Sequence, residues 1–165
     1  MKIIEQEEVR KLLQPKDCIQ LMAEALKGLE SGEYAQPARL ITVMPNTAKF
    51  GFMPAYVGDY FGAKVISAFA PNMGTKYPSH IGYVMLFESA HSTVAGMIEA
   101  GSITEIRTGA VSAAATDLLA RKDSHKLALI GAGAQARSHL AAIREIRDIT
   151  SVTVYDLFPQ AAERF

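Results

Sequence analysis

The sequence predicts an α/β protein in two parts: an α+β region over residues 1–122, then the start of a parallel, doubly wound unit over 123–165. Two observations carry this reading. Between residues 36 and 100, short apolar runs alternate with breaks rich in Pro, Gly and Asn, with no helical stretch between them. Strands that follow one another so closely pair antiparallel, because a parallel crossover needs a dozen or more residues. From residue 126 to 156 the rhythm changes to strand, glycine-rich turn, helix and strand, which is one parallel βαβ unit.

In chain order, residues 5–13 read as a short helix. Pro15 suits the first turn of a second helix reaching about Ser31, because its missing N–H has no helical partner there in any case. Cys18, Met22, Ala25 and Leu29 form its expected apolar face, widened by Ile19, Leu21 and Leu26, and Gly32 is the expected C-cap. Strands are expected over 38–44, 51–57, 62–69, 81–88 and 93–99. A helix follows from Ser102 to about Arg121. Ser102 with Glu105 three residues on has the spacing of a capping box, and Arg121 and Lys122 suit the negative end of the helix dipole. The boundary between the two parts is expected near residues 122–124.

Leu127, Ala128, Leu129 and Ile130 read as a buried parallel strand. Gly131-Ala132-Gly133-Ala134-Gln135-Ala136 then has the G-x-G-x-x-A form. In a Rossmann-like fold the first glycine allows the sharp turn, the second lets backbone approach a pyrophosphate, and the small third residue lets helix and sheet pack closely. The helix would carry Ala136, Leu140 and Ile143 on one face, while its first N–H groups, near Ala134 and Gln135, point at phosphates. The second strand, 151–155, ends at Asp156, 25 residues after Gly131. That is close to the roughly 20 expected for a carboxylate that accepts hydrogen bonds from the ribose hydroxyls. The pattern predicts NAD binding through Gly131, Gly133, Ala134, Gln135 and Asp156. NADP is disfavoured, since Asp156 would repel a 2′-phosphate and Leu157 and Phe158 offer it no cation.

Composition narrows the function classes. Hydrophobic residues make up 49% of the chain, which suits a packed core. Seventeen basic and seventeen acidic residues cancel, so nothing points to nucleic acid or an anionic membrane. Cys18 is the single cysteine and reads as a small core residue; with no disulfide to form, a reducing cytoplasmic setting is expected. No apolar run approaches the roughly 18 residues of a membrane span. His80, His91, His125 and His139 lack metal-ligand spacing, so no metal is expected, and His80 reads as a turn residue.

Three cations stand out. Arg107 is placed in the first turns of a helix, opposing the dipole there, and with the free N–H groups it would make an anion site. On position alone a surface arginine explains it equally well. Lys64 alternates onto the face of Ile66 and Ala68; it is either an edge-strand lysine that discourages aggregation or a desolvated amine with a tuned pKa. Arg39 alone reads as a charge at the edge of a strand.

The chain resembles the ornithine cyclodeaminase/mu-crystallin family. The resemblance rests on Pro37-Ala38-Arg39, Met53-Pro54-Ala55, Gly62-Ala63-Lys64 and His80-Ile81-Gly82. It continues in Ile103-Thr104-Glu105-Ile106-Arg107-Thr108-Gly109-Ala110 and in Gly131 to Arg137. It implies an N-terminal domain for substrate binding and oligomerisation, and an NAD(P)-dependent enzyme acting at the α-carbon of a small L-amino or imino acid. It also implies that Arg39, Lys64 and Arg107 bind the substrate carboxylate, that Lys64 assists proton transfer, and that Thr108 joins the cofactor site. A non-catalytic ligand- or nucleotide-binding module, as the mu-crystallin scaffold allows, is the other function it permits. Ornithine cyclodeaminases of the family carry a glutamate shortly before the Met-Pro-Ala segment, where this chain has Phe50-Gly51-Phe52, so ornithine is a poorer expectation as substrate. Family members are about twice this length, and an acidic active-site residue expected after Phe165 has no counterpart here. A lone βαβ unit leaves strand edges and one sheet face uncovered, from which a homodimer or larger homo-oligomer is expected.

Overall fold

The computed structural model describes residues 1–165. Contacts divide the chain into two compact units: Met1–Leu12 with Ala25–Ile103, and Leu13–Glu24 with Thr104–Phe165.

The first unit is built on a six-stranded sheet. Its strands are β1 (Lys2–Ile4), β2 (Leu40–Val43), β3 (Lys49–Val57), β4 (Tyr60–Ala68), β5 (His80–Glu88) and β6 (Val94–Glu99), in the spatial order β1-β6-β5-β4-β3-β2. β2 to β6 form an antiparallel meander as expected, and β1 adds parallel to β6. The β3–β4 hairpin turns on Gly58 and Asp59, with Gly58 at φ +56°. A two-residue turn of this kind matches strand twist only with positive φ at its first central residue. Phe61 and Phe87 oppose each other across β4 and β5 and stack with ring centroids 5.3 Å apart. Helix α1 (Gln6–Leu12) also belongs to this unit.

Helix α2 (Pro15–Ser31) starts and stops where expected. Gly32 ends it at φ +79°, its N–H reaching the Leu29 carbonyl at 3.4 Å, and the Tyr34 N–H reaches back to the Gly28 carbonyl at 2.9 Å, so two carbonyls at the helix end are satisfied. Its inward face differs from the expectation. Cys18 and Gly28 are buried and Met22 and Ala25 half-buried, whereas Leu21, Leu26 and Leu29 are exposed. Gly28 replaces Leu29 on the inward face because the Tyr34 ring lies against it; an added Cβ would collide with that ring.

The second unit holds helix α3 (Ala100–Leu119) from Thr104 onward and the parallel pair β7 (Lys126–Ile130) and β8 (Ser151–Tyr155). The crossover helix α4 (Ala134–Arg144) and a short α5 (Pro159–Glu163) complete it. Ala113, Ala142 and Ile143 are its buried centre, with Ile19, Leu127, Ile146 and Ile149 packed against them. β7 was expected to be buried throughout, but it alternates: Leu127 and Leu129 are half-buried, while Ile130 is 90% exposed. With two strands, only one face of this sheet meets helices, so the apolar run is covered on alternate residues.

The start of α3 also departs from expectation. The helix begins at Ala100, and the Glu99 carboxylate accepts the N–H groups of Gly101 (2.5 Å) and Ser102 (2.8 Å). Ser102 therefore lies inside the helix, buried, and its hydroxyl has no hydrogen-bond partner. A carboxylate beside free N–H groups is favoured over a hydroxyl by charge as well as by hydrogen bonding, so Glu99 takes the capping role. At the other end, Lys122 donates to the carbonyl of Asp117 at 2.8 Å, in keeping with a cation at a helix C-terminus.

Candidate nucleotide and substrate site

The glycine turn lies wholly within the second unit. Gly131 leaves β7 at φ +98°, a conformation that side chains disfavour, and its N–H donates to the Tyr155 carbonyl at 2.7 Å. Gly133 is different. It is the N-cap of α4 at an ordinary φ of −85°, and an added Cβ there would meet nothing within 4 Å. Nothing in the chain itself requires glycine at 133; the space above it is open. Helix α4 starts at Ala134 with no side chain capping it, and Gly133, Ala134 and Gln135 are all exposed. Exposed, uncapped N–H groups at a helix start, with a bare backbone beside them, can receive a phosphate.

Asp156 closes the turn from β8. One carboxylate oxygen accepts the Ala132 N–H at 2.8 Å, the other the Phe158 N–H at 2.9 Å. These two donors, Phe158 first and then Ala132, hold its carboxyl below the usual aspartate range. The acid expected at the ribose position thus also staples the glycine turn to the end of β8. The residues fit a dinucleotide: an open turn, uncapped N–H groups and a fixed, ionised carboxylate 25 residues from Gly131.

Arg107 and Thr108 sit on α3 in the same unit. Because α3 begins at Ala100, Arg107 is its eighth residue and belongs to the third turn, not the first. The N–H groups with which it was expected to form an anion site are taken by Glu99. Arg107 is half-buried, and its charge acts on the buried Cys18 thiol, whose pKa is raised by burial and pulled back in part by that charge. The Thr108 hydroxyl donates to the Thr104 carbonyl at 2.5 Å and keeps its lone pairs.

Lys64 and Arg39 belong to the first unit. Lys64 is not on an edge. β4 has β3 and β5 on its two sides, and Lys64 is half-buried between Met53 and Val84, with Ile66 and Ala68 further along its face. The anti-aggregation role of an edge lysine therefore falls away. Arg39 is exposed and immediately precedes β2, whose first pair is Leu40 with Phe52. No three His, Cys, Asp or Glu side chains gather as a metal site.

Two features had no signal in local spacing. Gly109 is buried where α3 meets the backbone of α4 at Ser138. Arg147 is buried beneath the C-terminus of α3, and its guanidinium donates to Asp117 Oδ1 at 2.5 Å and to the Ala120 carbonyl at 3.2 Å.

A model of the ornithine cyclodeaminase/mu-crystallin family matches residues 1–165. The ketimine reductase mu-crystallin of Mus musculus is 33% identical over 147 residues, covering 87% of this chain and 47% of its own length. Among solved structures, the Thermococcus litoralis Δ1-pyrroline-2-carboxylate reductase in complex with NADH and L-proline superposes with a TM-score of 0.91 at 33% identity. It covers 99% of this chain and 52% of that one. An archaeal alanine dehydrogenase dimer with bound NAD gives a TM-score of 0.93 at 28% identity, covering 98% and 50%. The chain spans about half the length of the curated relatives it matches.

Proposed function

The chain belongs to the ornithine cyclodeaminase/mu-crystallin family, and on that premise we propose that it serves an NAD-dependent oxidoreductase acting at the α-carbon of a small L-amino or imino acid. The observation that carries the reading is the glycine turn: Gly133 is open above, α4 is uncapped, and Asp156 is fixed beside them. Reduction of a cyclic imino acid or ketimine suits the chain better than ornithine cyclodeamination. It has Phe50-Gly51-Phe52 where ornithine cyclodeaminases of the family carry a glutamate, and it resembles a ketimine reductase and a pyrroline-carboxylate reductase.

In the proposed site, Gly131 shapes the turn, and the N–H groups of Ala134 and Gln135 bind the pyrophosphate over Gly133. Asp156 accepts from the adenosine ribose hydroxyls and opposes a 2′-phosphate, so NAD is preferred to NADP. Thr108 completes the cofactor contacts. Bound nicotinamide supplies the hydride chemistry. In the oxidative direction an L-α-amino acid and NAD+ give the α-imino acid, NADH and a proton; reduction is the reverse. Arg39, Lys64 and Arg107 take the substrate carboxylate, which fixes the α-carbon in one pose. Lys64, half-buried beside Met53 and Val84, would assist the proton transfer.

A homodimer is part of the proposal. Leu40, Phe50, Phe52 and Tyr56 are all more than 40% exposed and share the sheet face opposite Lys64, and an apolar face of this kind seeks cover. Calorimetric titration with NAD and NADP tests the cofactor assignment. Binding of NAD tighter than NADP is expected; tighter NADP, or neither, would overturn it.

A further inference from the structure

We infer that Gly109 is a positioning residue that sets the distance between the Arg107–Thr108 side of the site and the dinucleotide turn; this rests on the function proposed above. A Cβ added to Gly109 would collide with the Ser138 carbonyl oxygen, and it would lie 2.7 Å from the Ser138 carbonyl carbon and 3.1 Å from the His139 nitrogen. All three atoms are backbone, which cannot swing aside as a flexible side chain can. One helix or the other must move.

The place of the contact makes that movement consequential. On α3, Gly109 directly follows Arg107 and Thr108. On α4, Ser138 lies one turn beyond Ala134, the first residue of the helix whose N–H groups face the open turn. The approach continues along both helices: Ala110 and Ala113 are fully buried on α3, and Ala113 shares a cluster with Ala142 and Ile143 of α4. The turn itself is held independently of α3, by Asp156 on Ala132 and by the Gly131 N–H on Tyr155. Displacing α3 would leave the adenosine and pyrophosphate contacts in place and pull Thr108 and Arg107 away from whatever extends past them. Glycine at 109 is thus required by the spacing of two halves of a site, not by backbone conformation, since α3 is a regular helix there.

The test compares two ligands on one protein. ADP-ribose uses only the α4 side; NAD also carries the nicotinamide half. In Gly109→Ala, ADP-ribose affinity measured by calorimetry should stay within about twofold of wild type while NAD affinity falls about tenfold, a difference well outside titration error. Retained ADP-ribose binding certifies that the turn is folded. Should Gly109→Ala fail to fold, Ala113→Gly, which removes atoms from the same crossing, serves in its place, with a smaller loss of NAD affinity in the same direction. Equal losses for ADP-ribose and NAD, or no loss for either in both variants, would overturn the inference. A wild-type protein that binds neither ligand would overturn the proposed function and this inference with it; wild-type binding of both with an indifferent Gly109→Ala removes the inference alone.

Discussion

Replacing Arg147 with alanine should cost about 3 kcal/mol of stability, although the residue touches no proposed ligand. Its side chain is 4% exposed. The guanidinium reaches the carbonyls of Ile146 at 2.7 Å, Arg121 and Ala120 at 3.2 Å, Asp117 at 3.3 Å and Thr116 at 3.5 Å, besides the Asp117 carboxylate. Five such bonds at the low end of about 0.5–1.5 kcal/mol each, with the packing of the buried stem, give that figure. The Asp117 carboxylate is 42% exposed, so its ion pair adds little in water. Four of the five carbonyls belong to the end of α3 and the residues just after it, where a helix leaves carbonyls without partners of its own. Arg147 closes that end as Glu99 closes the start. Urea denaturation followed by circular dichroism measures the loss, and Arg147→Lys should fall between alanine and wild type, since an ammonium cannot reproduce the fork. Arg144→Ala, on an exposed residue of the same helix, is the control and should be near neutral. A loss under about 1 kcal/mol for Arg147→Ala would refute this account of how α3 is held.

Asp156→Asn should weaken NAD binding and narrow the preference over NADP, read by calorimetry with both cofactors. Its carboxyl is held low by the Phe158 and Ala132 N–H groups, so its contribution to stability is full above its unfolded pKa of about 4 and fades as pH falls through the lower folded value. Melting curves between neutral pH and about pH 3 should show wild type losing an advantage over Asp156→Asn that is constant above about pH 5. Gly131→Ala should destabilise by about 1–2 kcal/mol, because φ +98° has no comfortable place for a Cβ; an unchanged melting midpoint would contradict the turn geometry. Lys64→Met should abolish turnover while leaving NAD affinity nearly unchanged, and a parallel fall in both would place Lys64 outside the substrate site.

The β2–β6 meander was readable because short apolar runs are set apart by breaks, three of the four containing Gly, Pro or Asn; β3, β4 and β5 fall within two residues of expectation. The short β1 was not readable. Three residues carry no period, and Lys2–Ile4 becomes a strand only by pairing with Gly96, Met97 and Ile98, distant in sequence. The glycine turn was legible down to Asp156, since local backbone chemistry dictates it. The start of α3 was misjudged because Ser102 and Glu105 fit a capping box, while Glu99, three residues earlier, is an ionised acceptor in a better place. That error set Arg107 too near the helix start; it lies in the third turn. Gly109 and Arg147 act through contacts about 30 residues away in sequence, and no local pattern announces such a partner.

Hydride transfer at the α-carbon of a substrate held by its carboxylate is the proposed reaction. It is tested by following nicotinamide absorbance as the protein meets NADH with cyclic and open-chain α-imino acids, and NAD+ with the matching L-amino acids and their carboxamides. Cofactor-dependent turnover is expected with at least one carboxylate substrate, lost when the carboxylate becomes a carboxamide. Equal rates on acid and amide, or a protein that binds NAD and transfers hydride to no imino acid in the panel, would contradict it.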